Sequence, residues 1–242
     1  FYDHEKHLVF EKAPLILVEM HRKLIPGGDT GSEYFNNDIW KKCISYKDYK
    51  NVFRMDVNDC YIFCILHLMR HFKYAGIEIR DILDVYLYYE KYKNKLDKER
   101  LEKKFAEFNL TDFEKNIRMI AYKWFDKDEI TGFEDVEQFI LKGSNIENMI
   151  NYSVGKSGGK FSSIINLIFP KYKIMKEKYP VLKNVPVLLP FMWGFRIVRD
   201  VFSKETTVKA RLGTIKLIQE SNQEGVENIQ RIYKKLGIGK EK

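Results

Sequence analysis

Two residues near the amino terminus have side chains that could hold a metal ion or move a proton. Glu19 and His21 lie two positions apart in the otherwise aliphatic run Leu15–His21. Alternation along a strand places both side chains on one face, which we expect to border a cleft. A single carboxylate holds Mg²⁺ poorly, because that ion usually has two carboxylates and several other oxygen ligands. Glu19 therefore belongs either to a larger set of ligands or to an ion pair at the strand edge with Arg22 or Lys23.

A second group of chemically capable residues follows in a strongly apolar segment. Cys60, Cys64, His67 and His71 recur at i, i+4, i+7 and i+11, so they line one face of a helix. These residue types bind zinc, but in a helix the four span about 16 Å, which is too far for one tetrahedral ion. His67 and His71 remain as a pair without an adjacent catalytic glutamate. The face is therefore either the packed polar seam of a core helix or the border of a site.

Charged residues open the next predicted helix. Asp81 and Asp84 are three positions apart and share a face, and Arg80 could pair with either carboxylate. One interpretation is an ion-pair network that joins two helices. The other is a charged rim around a nucleotide or substrate site.

The segment Val154–Lys160 is rich in glycine and lysine, and Gly155-Lys156-Ser157 is the order that ends a phosphate-binding loop. Such a loop needs a glycine five residues before its Gly-Lys pair, where this chain has Ile150. We therefore expect a flexible basic loop between helices.

The elements that must position these residues are a few strands followed by many helices. Strands are predicted at His7–Phe10, Leu15–His21 and Asn51–Met55, with a short helix over Tyr34–Tyr46. From residue 56 onward the apolar spacing is helical, beginning with one long helix that Asp56 caps and Gly76 ends. Sequences of the capping-box type occur at Thr111–Glu114, Thr131–Glu134 and Ser144–Glu147. The fold class is α+β and mostly α-helical, with a division between residues 1–55 and 56–242.

Composition limits the class of protein. The 242 residues are 45% hydrophobic, which is enough for a core, and 42 Lys and Arg against 34 Asp and Glu give a net charge of +8. The charge favours contact with nucleotides, nucleic acid or anionic surfaces. Three cysteines do not make a disulfide framework, and no apolar run is long enough to cross a bilayer. We therefore predict a cytoplasmic protein without a membrane partner.

Four motifs, taken in order, carry a family resemblance. They are Val18-Glu-Met-His21, Leu66-His-Leu-Met-Arg-His71, Gly76-Ile-Glu-Ile-Arg-Asp-Ile-Leu-Asp84, and the pair Tyr179-Pro180 with Leu189-Pro-Phe-Met-Trp-Gly-Phe-Arg196. From about His4 to Arg199 the chain resembles the uncharacterised nucleotidyltransferase family of the polymerase-β-like nucleotidyltransferase superfamily. Such proteins have a palm with a Gly-Ser turn and an Asp-x-Asp strand, then a strand reading hydrophobic-Glu-hydrophobic-His, then a helical domain.

The resemblance implies roles for particular residues. Glu19 matches the third palm carboxylate, which helps to bind metal and to position or activate the attacking hydroxyl, and His21 orients it. His71, Arg80 and Asp84 are expected to bind substrate where the long helix meets the cleft. The implied reaction transfers a nucleoside monophosphate from an NTP to an unknown acceptor, with Mg²⁺ as cofactor.

The chain departs from the family pattern at its start. The Gly-Ser turn and Asp-x-Asp strand have no counterpart here, and the chain begins at Phe1 within structure. We therefore expect a C-terminal portion of a longer protein, with residues 1–55 as a remnant of a mixed-sheet palm and no transferase activity in this chain alone.

The alternative function is a non-catalytic helical module that binds nucleic acid or another anionic partner. Its candidate contacts are the basic residues of the carboxy-terminal half, namely Lys171, Lys173, Lys176, Lys178, Lys183, Arg196, Arg199 and Arg211.

Overall fold

A computed structural model describes most of the chain. The described residues are 2–3, 7–27, 29–47, 49–74, 76–126, 129–143, 146–202 and 206–239. The predicted class is confirmed, because the protein is mostly helical with a few short antiparallel strands. Among the described residues, no helix has the length and apolar character that crossing a bilayer requires.

The first helix, α1 (Val57–Tyr74), passes through the centre of the main core. Oδ1 of Asp56 accepts hydrogen bonds from the backbone N–H groups of Asn58 and Asp59, at 2.8 and 2.9 Å. At the other end Gly76 has a φ of +87°, and its N–H donates to the carbonyl of His71 at 2.7 Å. Both predicted ends of this helix are confirmed, because an aspartate satisfies the first free N–H groups and glycine adopts the left-handed conformation without strain.

The remaining helices pack around α1 or extend from it. In chain order they are α2 (Ile79–Tyr92), α3 (Lys98–Glu107), α4 (Thr111–Phe125), α5 (Glu134–Leu141), α6 (Ile146–Ser157), α7 (Lys160–Ile168), α8 (Tyr172–Lys178), α9 (Val181–Asn184), α10 (Leu189–Phe202), α11 (Thr206–Glu220) and α12 (Gln223–Lys235). A main core surrounds α1, and a smaller one lies between α6, α7, α11 and α12. Helix α12 belongs to both, since Val226 packs in the smaller core and Ile229 and Ile232 pack in the main one.

A buried ionic cluster attaches α1 to its neighbours. The carboxylate of Asp59 is fully buried, and it accepts a hydrogen bond from the Tyr34 hydroxyl at 2.6 Å. The guanidinium of Arg100 on α3 lies 2.6 Å from Asp59 and 2.8 Å from Asp56. Burial, the largest cause, and the hydrogen bond to Asp59 together raise the pKa of Tyr34 to about 12. The cluster thus joins the start of α1 to α3 and to the preceding loop.

The amino-terminal strands form a small antiparallel sheet. Strands β1 (Tyr2–Asp3), β2 (His7–Lys12) and β3 (Ile16–His21) are paired in that order, and Val9 stands opposite Glu19. The β2–β3 hairpin confirms the two predicted strands. The sheet is antiparallel in the described residues, however, where a mixed sheet was expected.

Strand β3 does not have the one covered face that alternation predicted. Ile16, Leu17, Val18 and Met20 are all about half exposed, although they belong to both faces. Within the described residues, therefore, the hairpin has no helix layer over either side of this strand.

The helix predicted over Tyr34–Tyr46 is shorter than expected. A π turn at Tyr34–Asp38 and a 3-10 turn at Ile39–Lys41 lead into β4 (Ile44–Ser45), which pairs with β5 (Phe53–Arg54). The strand predicted at residues 51–55 is confirmed. The backbone groups of Ile44 and Ser45 pair with this strand, so they cannot form the hydrogen bonds of a helix that continues to Tyr46. The aromatic residue Phe35 from the π turn packs in the main core with residues of α1. The predicted domain boundary at residue 55 stays a prediction.

Three local expectations are wrong. Residues 155–157 continue α6 and are not a loop. A Cβ on Gly155 would lie 2.7 Å from Nε2 of Gln230 on α12, so glycine allows the close approach of these two helices. Thr111, expected to cap α4 from outside, is instead the first residue of that helix, and Leu110 occupies the cap position. Helix α5 begins only at Glu134, whose carboxylate accepts the N–H of Gly132. The third capping sequence begins at Ser144, outside the described residues.

The buried cluster predicts a large loss of stability when its cation is removed. We expect Arg100→Ala to lower the free energy of unfolding by about 3 kcal/mol, because the buried Asp59 charge loses its partner. The measurement is urea unfolding followed by circular dichroism. Arg80→Ala is the matched control, since the exposed Arg80 pairs with Glu78 and its loss should cost less than about 0.5 kcal/mol. Equal losses for the two variants would contradict this account of the cluster.

Candidate functional site

A cavity of about 510 Å³ lies between α1 and α2. Helix α1 lines it with Cys60, Phe63, Cys64, His67, Leu68 and His71, and α2 lines it with Asp81, Asp84, Leu87, Tyr88, Lys91 and Tyr92. The cysteine and histidine face of α1 therefore lines a cavity. That this cavity is a binding site, one of the two interpretations of the spacing, stays a prediction. The volume is within the range of about 300–1,000 Å³ that is typical of small-molecule sites.

The two ends of the cavity differ in chemistry. The short connection from Tyr74 to Ile79 keeps the end of α1, with His71, close to the start of α2, with Asp81. One end therefore contains imidazoles and carboxylates. The other end contains aromatic rings and a cation. The ring centroids of Tyr88 and Tyr92 are 4.7 Å apart, and the Lys91 ammonium lies 5.4 Å from the Tyr92 ring centroid.

His67 is held as a neutral imidazole in this wall. Its ring centroid lies 4.4 Å from that of His71. Burial, the largest cause, and electrostatic interactions with His71, Arg70 and His21 together lower the pKa of His67 to about 4. At neutral pH the ring can therefore donate and accept a hydrogen bond without adding charge to the cavity.

Cys64 is likewise uncharged at neutral pH. Burial, the largest cause, and the neighbouring Cys60, Asp84 and Asp81 together raise the pKa of its thiol to about 12. A protonated thiol is a weak nucleophile and a poor zinc ligand. The described residues contain no group of three or more His, Cys, Asp or Glu side chains able to hold a metal ion.

Strand β3 ends near the imidazole end of the cavity. His21 is its last residue, and its charge contributes to the lowered pKa of His67 on α1, so the two side chains are within electrostatic range. Glu19 stands two residues earlier, with its backbone paired to Val9. The side chain of Glu19 lies outside what the structure describes, and its assigned role stays a prediction.

Of the three helical residues assigned to substrate binding, two line the cavity. His71 and Asp84 are in its wall, whereas Arg80 is exposed and its Nε lies 2.9 Å from Glu78. The expected pairing of Arg80 with Asp81 or Asp84 is wrong. The Asp81 carboxylate instead accepts the Glu78 N–H at 2.8 Å as part of a reciprocal cap at the start of α2.

Three polar residues of the wall were not singled out from the sequence, namely Tyr88, Lys91 and Tyr92. They follow Asp81 and Asp84 at helical intervals, so the spacing along α2 was the available signal. That spacing did not show that this side of α2 would face α1 across a cavity.

The lowered pKa of His67 predicts a pH dependence of stability. Between about pH 6.5 and pH 4 the unfolded chain binds a proton at His67 that the folded chain does not, so the free energy of unfolding falls with decreasing pH. In His67→Asn the free energy of unfolding should depend less steeply on pH over that interval. The decrease in slope should reach at most the contribution of about one bound proton. Urea unfolding at several pH values measures it. An unchanged slope in the variant would contradict the assigned burial of this ring.

A comparison with protein-family models finds a match in the amino-terminal half of the chain. The model described as "Uncharacterised nucleotidyltransferase" matches residues 2–126, which include the amino-terminal sheet and the helices α1 to α4. No curated protein and no solved structure matches the chain. The match spans just over half of the sequence and includes both walls of the cavity, and the chain belongs to the uncharacterised nucleotidyltransferase family.

Proposed function

We propose that this chain contributes the acceptor-binding part of an enzyme that transfers a nucleoside monophosphate from an NTP to an acceptor. The observation that carries the proposal is the position of the cavity. It lies between α1 and α2, inside the segment that matches the nucleotidyltransferase family, and its wall contains His71 and Asp84. The acceptor would occupy this cavity with its reacting hydroxyl toward β3.

The chemistry assigned to the chain is general base catalysis and positioning. Glu19 would accept the proton of the acceptor hydroxyl, whose oxygen then attacks the α-phosphorus of the NTP. The bond between the α-phosphorus and the β-phosphate oxygen breaks, and pyrophosphate leaves. His21 would orient the Glu19 carboxylate, and His71 and Asp84 would bind polar groups of the acceptor.

The described residues do not by themselves fit a Mg²⁺ site. Such a site needs at least two carboxylates with further oxygen ligands, and no group of three candidate ligands occurs among them. The family's Asp-x-Asp sequence also does not occur before Glu19 in this chain. We therefore assign no metal-dependent step to this chain, and we propose that carboxylates outside it hold the Mg²⁺ of the complete enzyme.

The first test is nucleotide transfer by the chain itself. We expect no label to be transferred from α-labelled NTPs in the presence of Mg²⁺ and a mixture of small-molecule acceptors, because the metal-binding carboxylates are lacking. The measurement is separation of labelled products by thin-layer chromatography. Transfer by this chain that Glu19→Gln abolishes, and that Glu11→Gln on the paired strand leaves intact, would refute the predicted inactivity.

The second test concerns the acceptor cavity in the complete enzyme, with the Gly-Ser turn and Asp-x-Asp strand present. We expect His71→Ala and Asp84→Ala to raise KM for the acceptor by about tenfold each, since each removes a hydrogen-bonding group worth about 1.4 kcal/mol. KM for the NTP should change little. Steady-state kinetics with each substrate varied separately measures both values. Leu141→Ala is the control, because this side chain is exposed on α5 away from the cavity wall. A rise in KM for the NTP alone would show that the cavity binds the nucleotide.

A further inference from the structure

Helix α10 has an exposed apolar face in the half of the chain that the family model does not match. Phe191, Phe195, Val198 and Phe202 recur at i, i+4, i+7 and i+11 and are 75%, 55%, 54% and 85% exposed. We call these four residues the α10 apolar face. Soluble proteins rarely expose such a continuous stripe, and one of this kind marks a surface for interaction.

The opposite side of α10 is firmly packed, which sets the direction of the apolar face. The Arg196 guanidinium is largely buried and donates to the carbonyls of Ile168 and Leu167, at 2.9 and 3.1 Å. The Trp193 indole N–H donates to the carbonyl of Pro170 at 3.0 Å. Asp200, also buried, forms an ion pair with Arg211 on α11. Rotating α10 to bury its phenylalanines would break these contacts and expose groups that are already satisfied.

The surroundings of the α10 apolar face are strongly basic. Residues 160–202 contain eight Lys and Arg against two acids, a net formal charge of +6 out of +8 for the whole chain. Arg199 lies at the edge of the apolar face, with its guanidinium 5.8 Å from the Tyr179 ring. Tyr179 also contacts Phe195 at 6.3 Å, which places the end of α8 beside the face. Exposed lysines of this region include Lys171, Lys173, Lys178 and Lys183.

We propose that this surface binds peripherally to an anionic lipid bilayer, with the α10 apolar face in the headgroup region and the surrounding lysines on the lipid phosphates. An apolar helix face bordered by basic residues is the combination that lies in the plane of a membrane interface. This proposal departs from the prediction of a protein without a membrane partner. That prediction rested on the lack of an apolar run long enough to span a bilayer, and a surface that binds peripherally needs no such run.

The composition of the exposed surface on and around α10 favours lipid over nucleic acid. Binding of single-stranded nucleic acid uses aromatic rings on which bases stack. The exposed apolar residues here include several aliphatic ones, namely Val187, Val198 and Val201, which offer no stacking surface. Aliphatic and aromatic side chains bury equally well in a hydrocarbon interface.

Flotation of the full chain with lipid vesicles tests the proposal. We expect binding to phosphatidylcholine vesicles that contain phosphatidylserine, weaker binding at high salt, and little binding to phosphatidylcholine alone. The double variant Phe191→Asp with Val198→Asp should lose at least about tenfold in vesicle partitioning. The triple variant Lys171→Gln, Lys173→Gln, Lys178→Gln should lose about fivefold for each lysine that contacts the surface.

The matched control is Leu141→Asp with Ile146→Asp, which changes two apolar side chains of similar exposure outside this region. It should bind vesicles like the unmodified chain, and circular dichroism should show that all variants fold. Absence of binding to anionic vesicles, or equal binding by the Phe191→Asp, Val198→Asp variant, would overturn the proposal. Binding of single-stranded RNA without vesicle binding would contradict the proposal and identify nucleic acid as the partner. A dimer of the unmodified chain that the Phe191→Asp, Val198→Asp variant dissociates would contradict it too, and would identify a second copy as the partner.

Discussion

The buried carboxylate of Asp59 is the group on which the position of α1 depends. It is fully removed from water, so its charge is tolerated only because Arg100 from α3 contacts it and the Tyr34 hydroxyl donates to it. Arg100 also contacts Asp56, whose carboxylate caps α1. The interactions that begin α1 thus also connect it to α3 and to the loop before it. Because these hydrogen bonds are directional, they hold α1 more precisely than apolar packing alone would.

With α1 held in this way, one of its sides packs and another lines a cavity. Tyr61, Ile62, Ile65 and Leu66 are fully buried on the packed side. On the cavity side the ionisable groups of Cys64 and His67 are neutral, because burial disfavours the charged form of each. Charge enters the cavity mainly from α2, through Asp81, Asp84 and Lys91. A helix can therefore be central to the core and still provide a wall for a polar ligand.

The carboxy-terminal half is joined to this core mainly by α12. The hydroxyl of Tyr233 donates to the carbonyl of Phe72 on α1, while Val226 packs in the smaller core with Ile150 of α6. Close approach of α6 and α12 at Gly155 keeps the two cores adjacent. Beyond the smaller core, α10 is oriented by Arg196 and Asp200 and leaves its phenylalanines exposed. The proposed transferase chemistry and the proposed lipid contact thus belong to different halves of the chain.

The sequence by itself determined the features that depend on near neighbours. The ends of α1 at Asp56 and Gly76, the β2–β3 hairpin and the mostly helical class follow from capping chemistry and periodicity, which act within a few residues. The family motifs around Glu19, His71 and Asp84 were also readable, and the family match confirms the resemblance that they carry.

Only the tertiary structure decided which partners these residues meet. Arg80 contacts Glu78 instead of the aspartates, because Asp81 caps α2 and Asp84 faces the cavity. Gly155 lies within α6 and packs closely against Gln230 of α12, a contact that the local glycine and lysine pattern does not predict. The same helical spacing describes the buried side of α1 and the exposed face of α10. Periodicity shows that side chains share a face, whereas burial depends on which distant segment covers that face, and that is set only when the chain has folded.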